Sequence, residues 1–247
     1  MSKFAVILAA AGKSTRFQDH RRKKPFIELA GRPVWVRSAE LFTNRDDVGQ
    51  TIIAVAPEDL DWFKEKFRPN LAFMNIDIVT GGAERAETVQ KALAHVKPDA
   101  EFVAVHDAAR PLIVREWIDA IFAAAVQYGA AIPAIPVTST LKRAGSEQQI
   151  LETVPRDQLW MAQTPQVFRR EWLLEAYAQR GEFQATDEAQ LVERQGHPVH
   201  IVPGNSMNIK ITTAEDFRMA EALVDALPKP RGLRALHPFS DEEPRFL

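Results

Sequence analysis

The chain has 247 residues, 46% of them hydrophobic, with 31 basic against 33 acidic side chains and a net charge of −2. This suffices for the core of one large α/β domain and argues against a general nucleic-acid or membrane-surface binder. There is no cysteine, which excludes disulfides, thiolate metal sites and a cysteine nucleophile. With no apolar run near the ~18 residues of a membrane span and no signal-peptide pattern at the N-terminus, a cytoplasmic protein is expected.

The first predicted element is a strand at 4–8. It runs into the small residues Ala9, Ala10, Ala11 and Gly12, then a basic stretch of Lys13, Arg16, Arg21, Arg22, Lys23 and Lys24. Small residues let backbone N–H groups approach a ligand closely, and successive N–H groups make an anion-binding concavity. Lysine and arginine beyond it neutralise phosphate charge. The segment therefore predicts a strand feeding a phosphate-binding loop, and a nucleotide enzyme. Gly12-Lys13-Ser14-Thr15 ends like a P-loop, but that motif needs glycine where Ile7 stands.

A helix is predicted at 33–42, a strand at 51–56, a helix at 60–67 around Trp62, Phe63 and Phe67, and a strand at 76–79. A helix at 87–95 follows, with Val89, Ala92 and Leu93 at helical spacing, then a strand at 102–106, an alanine-rich helix at 115–128 and a strand at 129–136. A further strand falls at 199–202. Strands alternating with helices predict an α/β fold: a mostly parallel sheet covered on both faces, with ligands at the carboxyl ends of its strands. The stretch 137–160 breaks the rhythm with a strand at 137–143, a turn at 144–149 and a returning strand at 150–154. A protruding hairpin is exposed unless something covers it, so it reads either as a dimerisation arm or as a hairpin folded onto its own domain. Residues 1–227 are expected to form a single domain. Residues 228–247, with prolines at 228, 230, 238 and 244, are expected to be an extended or disordered tail.

Three loops carry candidate chemistry. Gly81 and Gly82 permit close backbone approach to a flat base, and Arg85 and Thr88 offer donors. Asp107 ends a strand before Ala108, Ala109 and Arg110, which suits a polar ligand near a cation, or an Asp capping the next turn. His106 reads as a packed strand residue. Asn208-Ile209-Lys210 places an amide and an ammonium together after a turn.

Read jointly, L-A-A-A-G-x-x-x-R at the N-terminus, Lys24 before Phe26, G-G-x-x-R-x-x-[ST]-V at 81–89, V-H-D-A-A-R-P at 105–111, T-P-Q at 164–166, T-D-E at 186–188 and N-I-K at 208–210 occur in order. This arrangement, spanning about residues 4–225, resembles the 2-C-methyl-D-erythritol 4-phosphate cytidylyltransferases of non-mevalonate isoprenoid synthesis. The ribitol-5-phosphate cytidylyltransferases share most of the motifs, and a catalytically reduced nucleotide-binding homologue is the rival from another class. The resemblance implies a Rossmann-like fold, CTP and a sugar-alcohol phosphate as substrates, Mg²⁺ carried largely by the CTP phosphates, and a homodimer through the 137–160 arm. It implies that Arg16, Lys24 and Lys210 act on the phosphates, while Ala10, Ala11, Gly12, Gly81, Gly82, Arg85 and Thr88 hold the nucleotide. It also implies that Asp107, Arg110, Thr140 and Arg156 bind the acceptor, Asp107 being the one candidate metal ligand. The chain departs from the family pattern at Ser14, Pro25, Ala83 and Ser139, where glycine, glutamine, aspartate and aspartate are usual.

Overall fold

The computed structural model describes residues 3–12 and 24–228. Strand β1 (Phe4–Ala9) opens the chain, and a 3-10 turn (Lys24–Phe26) leads to the small hairpin β2 (Glu28–Leu29) and β3 (Arg32–Pro33). Then come α1 (Val34–Thr43), β4 (Val48–Val55), α2 (Leu60–Lys66), α3 (Arg68–Met74), β5 (Ile76–Thr80), α4 (Arg85–Leu93), β6 (Phe102–Asp107), α5 (Arg115–Tyr128) and β7 (Ala130–Pro136). The second half holds β8 (Leu141–Ala144), β9 (Ile150–Val154), β10 (Trp160–Ala162), β11 (Gln166–Arg169), α6 (Arg170–Ala178), α7 (Glu188–Arg194), β12 (His200–Pro203) and α8 (Ala214–Leu223).

The main sheet runs β10-β7-β11-β6-β1-β4-β5, with β12 on the other side of β7. The half made of β6, β1, β4 and β5 is parallel, while β11 runs antiparallel to both β6 and β7. Strand β1 is apolar on both faces because both are covered. Val6 and Leu8 enter a core with Trp35, Phe42, Phe63 and Phe122. Ala5 and Ile7 enter a second core with Val89, Phe168 and Leu173. The two-residue period of a strand sends successive residues to opposite cores. The predicted α/β architecture, largely parallel with helices on both faces, is the one observed.

Chain order fixes where a ligand fits. From β1 the chain moves out to β4 and β5, then returns to β6 on the opposite side of β1. Crossovers therefore leave β1 and β6 in opposite directions, which opens a crevice at their carboxyl ends. Ala9, Ala54 and Asp107 lie on one rung there.

The hairpin is shorter than the sequence pattern suggests. Residues 137–140 are not strand; the ladder begins at Leu141↔Val154. The chain leaves the sheet at Pro136 and rejoins it opposite the same residue at Trp160, so Trp160 belongs to the sheet. The helix expected at 87–95 starts two residues earlier, at Arg85. The expected tail lies outside the described residues except for Pro228.

Candidate active site

Asp107 closes β6 and is 6% exposed. Three cations converge on its carboxylate. Arg85 Nε donates to Oδ1 at 3.2 Å, Lys210 Nζ lies 2.8 Å from Oδ2, and Arg110 Nε lies 3.7 Å from Oδ2. Burial alone would raise the Asp107 pKa; the fields of Arg85, Lys210 and Arg110 outweigh it and hold the carboxyl well below the usual carboxylate range. Burial and the neighbouring Arg85 lower the Arg110 pKa, with Asp107 opposing.

Arg85 is also held by a residue to which the sequence reading gave no role. Its Nη1 donates to Glu188 Oε1 at 2.6 Å, and Tyr177 Oη donates to the same oxygen at 3.1 Å. Glu188 is 1% exposed. Burial opposes the charge on Arg85, but Glu188 and Asp107 raise its pKa overall. Arg85, Arg110 and Lys210 carry three positive charges against the two negative charges of Asp107 and Glu188, leaving the cluster at +1. Its accessible end is Lys210, whose side chain is 39% exposed. A buried surplus of positive charge with one open cation suits an anion.

The loops beneath the cluster are tightly braced. His106 is fully buried, and Thr164 Oγ1 lies 3.0 Å from its Nδ1. Since Nε2 faces the carbonyl of Arg110 at 3.1 Å, Nε2 carries the proton and Nδ1 accepts from Thr164. Burial brings the His106 pKa down to about 4, so it is neutral and structural, as the sequence reading expects. Thr164 Oγ1 also accepts from the Asp107 amide at 3.1 Å, and Asn208 Nδ2 donates to the Thr164 carbonyl at 3.0 Å. Arg110 Nη1 donates to the Asn208 carbonyl at 2.7 Å, and the Ile211 amide donates to the Ala109 carbonyl at 2.9 Å. The loop carrying Lys210 is thus tied to the loop carrying Asp107 and Arg110.

On the other side of β1 lies a depression of about 280 Å³, lined by Ala11, Ala56, Pro57, Gly81, Gly82, Ala83 and Lys91 among others. Its floor tolerates only glycine. A Cβ on Gly81 would stand 2.5 Å from Ala11 Cβ, and one on Gly82 would stand 2.4 Å from Glu87. By contrast, a Cβ on Gly12 would meet nothing within 4 Å among the described residues.

The donors expected of the second loop are otherwise engaged. Thr88 Oγ1 accepts from the Gly82 amide at 3.0 Å and donates to the Glu84 carbonyl at 3.0 Å, so it shapes the loop. The amides of Gly81 and Ala83 donate to the Val55 carbonyl at 2.7 Å and to Glu87 Oε2 at 2.8 Å. Arg85 turns inward to Asp107 and Glu188. Thr88 Oγ1, the amides of Gly81, Gly82 and Ala83 and two of the Arg85 donors are thus paired within the chain, where a buried donor left unpaired is costly. The Ala10 amide donates to the Ala54 carbonyl at 2.9 Å, while the amides of Ala11 and Gly12 meet no acceptor among the described residues.

Three cations surround the carboxylate of Asp107, the one candidate metal ligand of the sequence. No cluster of three or more His, Asp or Glu residues among those described is able to hold a metal. Thr140 and Arg156 lie on opposite legs of the hairpin, just outside its ladder, where Arg156 Nη1 donates to the Thr138 carbonyl. Neither touches the Asp107 cluster among the described residues. Lys24 begins the 3-10 turn; Arg16 lies outside the described residues.

Fold and site together define an open-sheet α/β protein with a small-residue pocket and a cationic cluster on either side of β1. The family model for 2-C-methyl-D-erythritol 4-phosphate cytidylyltransferase (IspD) matches residues 4–226. A protein of that name from Rhodopirellula baltica is 42% identical, over 90% of this chain and 94% of the relative. Another from Pelotomaculum thermopropionicum is 40% identical, over 92% and 96%. The crystal structure of 4-diphosphocytidyl-2C-methyl-D-erythritol synthase from Anaerococcus prevotii superposes with a TM-score of 0.77 at 28% identity, covering 91% of this chain and 96% of that one. The chain belongs to the 2-C-methyl-D-erythritol 4-phosphate cytidylyltransferase family. Among the described residues, no helix is long and apolar enough to cross a membrane.

Proposed function

We propose that the protein joins CTP to 2-C-methyl-D-erythritol 4-phosphate, giving 4-diphosphocytidyl-2-C-methyl-D-erythritol and pyrophosphate. The observation that carries this reading, in a chain of this family, is the +1 cluster of Asp107, Glu188, Arg85, Arg110 and Lys210 beside the Gly81–Gly82 pocket. A phosphate oxygen of the acceptor attacks the α-phosphorus of CTP. The bond from that phosphorus to the bridging oxygen breaks, and pyrophosphate leaves with the electron pair. No enzyme nucleophile is required, so catalysis rests on positioning and on charge stabilisation.

Cytosine sits in the pocket floored by Gly81 and Gly82, with the amides of Ala11 and Gly12, which meet no acceptor among the described residues, as backbone donors. Lys210 meets the α-phosphate, and Arg16 and Lys24 stabilise the charge of the transition state. Asp107 acts mainly by holding Lys210 and Arg110; a sugar hydroxyl reaches it by donating to a carboxylate lone pair. A divalent cation, Mg²⁺ being the natural one, would be carried largely by the triphosphate and would supply charge neutralisation there. Thr140 and Arg156 bind the acceptor phosphate in a neighbouring subunit's site, which makes the working form a cytoplasmic homodimer. The exposed Ile150 and Leu151 of the hairpin support that reading.

The test is pyrophosphate release with each triphosphate and acceptor. CTP with methylerythritol phosphate is expected to turn over. ATP or GTP used as well as CTP overturns the pocket assignment, and preference for ribitol 5-phosphate overturns the acceptor.

A further inference from the structure

Glu188 is a buried carboxylate to which the proposed reaction gives no task, although it completes the charge cluster. Its carboxylate is delivered by a rigid mount. Asp187 caps α7, its Oδ1 accepting from the Gln190 amide at 3.0 Å and its Oδ2 accepting from Gln166 Nε2 at 2.8 Å. Gln166 Oε1 accepts from the Ala189 amide at 3.1 Å, so this one side chain pins the first turn of α7 to β11. Tyr177 of α6 supplies a second donor to Glu188 Oε1. Oε2 meets no donor among the described residues. The T-P-Q and T-D-E segments thus do their work together, in placing this carboxylate.

The consequence runs through Arg85. Its guanidinium is divided, Nη1 going to Glu188 and Nε to Asp107 Oδ1. That division leaves Asp107 Oδ2 to Lys210, at 2.8 Å. Guanidinium is built to grip a carboxylate with two parallel N–H bonds. Without the Glu188 charge, Asp107 is the remaining anionic partner of Arg85, and a two-pronged grip takes the oxygen that anchors Lys210. The cluster charge also rises from +1 to +2, which repels the ammonium toward solvent.

We infer that Glu188 is a positioning residue for Lys210: by holding one arm of Arg85 it reserves an oxygen of Asp107 for the lysine that meets the nucleotide phosphate. The effect on turnover rests on the proposed cytidylyl transfer; the effect on Lys210 geometry does not.

The test combines a structure with a double-mutant cycle in the full chain. In crystals of Glu188→Gln, Arg85 is expected to swing onto Asp107 and Lys210 Nζ to leave hydrogen-bond distance of it. The kcat for pyrophosphate release is expected to fall about ten- to a hundredfold, the range for lost outer partners of functional ligands. In a Lys210→Gln background the same change is expected to cost less than about twofold more, because the two residues act in series. Tyr177→Phe keeps the Glu188–Arg85 bond and is expected to leave Lys210 in place. If Glu188→Gln does not fold, Glu188→Ala removes the same charge and is read in the same way. Lys210 unmoved in the variant crystal, or losses that multiply in the double mutant, overturns the inference. A wild-type protein with no transfer activity sinks the proposed function, while the crystal comparison still decides the positioning role.

Discussion

At the carboxyl edge of the sheet, Asp107 is enclosed by three cations from three separate segments and its own amide is bonded to Thr164. In the hairpin, Ile150 and Leu151 are 61% and 64% exposed, and β8 and β9 pair only with each other. The first region is over-determined: each charged group is fixed by at least one other, so its geometry is set within one chain. The second has a well-formed ladder and an apolar surface with nothing over it among the described residues. One protein thus contains a tightly braced cluster and, in the hairpin, an exposed apolar face. Perturbations of the two should differ in kind.

The largest effect is expected at Asp107. Asp107→Asn removes the buried anion shared by Arg85, Arg110 and the more exposed Lys210, and removing one partner of a buried ion pair costs about 3–5 kcal/mol, read by urea unfolding at neutral pH. Its pH dependence has a definite sign. The folded pKa of Asp107 is depressed below the unfolded ~3.9. Its contribution is therefore full above that value and is lost as pH falls. The gap between wild type and Asp107→Asn should be constant near neutrality and close in acid below about pH 4. A gap that persists unchanged at lower pH would mean that the carboxylate charge is not what the variant lost.

The next prediction compares the regions directly. Arg16→Ala and Lys24→Ala should each lower kcat by about 10²–10³, as for other donors to a developing charge. Arg156→Ala should instead raise KM for the acceptor phosphate and leave KM for CTP near wild type, since arginine grips phosphate with two bonds. Mixing Arg156→Ala with Arg16→Ala subunits should restore about a quarter of wild-type activity, because half of randomly exchanged C₂ dimers are mixed and each has one intact composite site. No recovery in verified mixed dimers would confine both residues to one chain's site.

A smaller effect is expected from His106, beneath the cluster. Its folded pKa is about 4, against ~6.5 for the unfolded chain. Between these values the unfolded state takes up a proton that the folded state refuses, so stability falls as pH drops through the window, by at most about 1.4 kcal/mol per pH unit. His106→Gln should flatten that slope while leaving the acid loss from Asp107. Calorimetry from pH 7 to pH 4 separates the two.

The smallest effect on the chain itself is expected in the arm. Leu151→Ser should change the stability of the isolated chain by less than about 0.5 kcal/mol, as for an exposed position, yet weaken self-association measured by sedimentation. A large loss of chain stability would show the hairpin to be packed on its own domain after all.

Much of this was legible in the sequence because it is local. The continuous apolar runs of β1 and β6, the helix over 115–128 ended at Gly129, and the loops after Ala9, Thr80 and Asp107 each follow from a pattern within a few residues. Strand β11 and helices α6, α7 and α8 were not picked out. Strand β11 is only four residues long and runs against its neighbours, and α7 is too short to show a clear period. Which way Arg85 points was not legible at all. Its partners are Asp107, 22 residues away, and Glu188, 103 residues away, so a donor that looks free in the sequence is consumed in the fold.

What the sequence determined alone is the alternation of strands and helices, the small-residue loops and the order of motifs that marks the family. Hydrophobic period and backbone permissiveness are properties of neighbours in the chain. What only the tertiary structure decided is the setting of each charge: Asp107 ionised, His106 neutral, Arg85 turned inward and Lys210 left at the open end. Burial and opposing charges set those states, and both depend on residues brought together from distant parts of the chain.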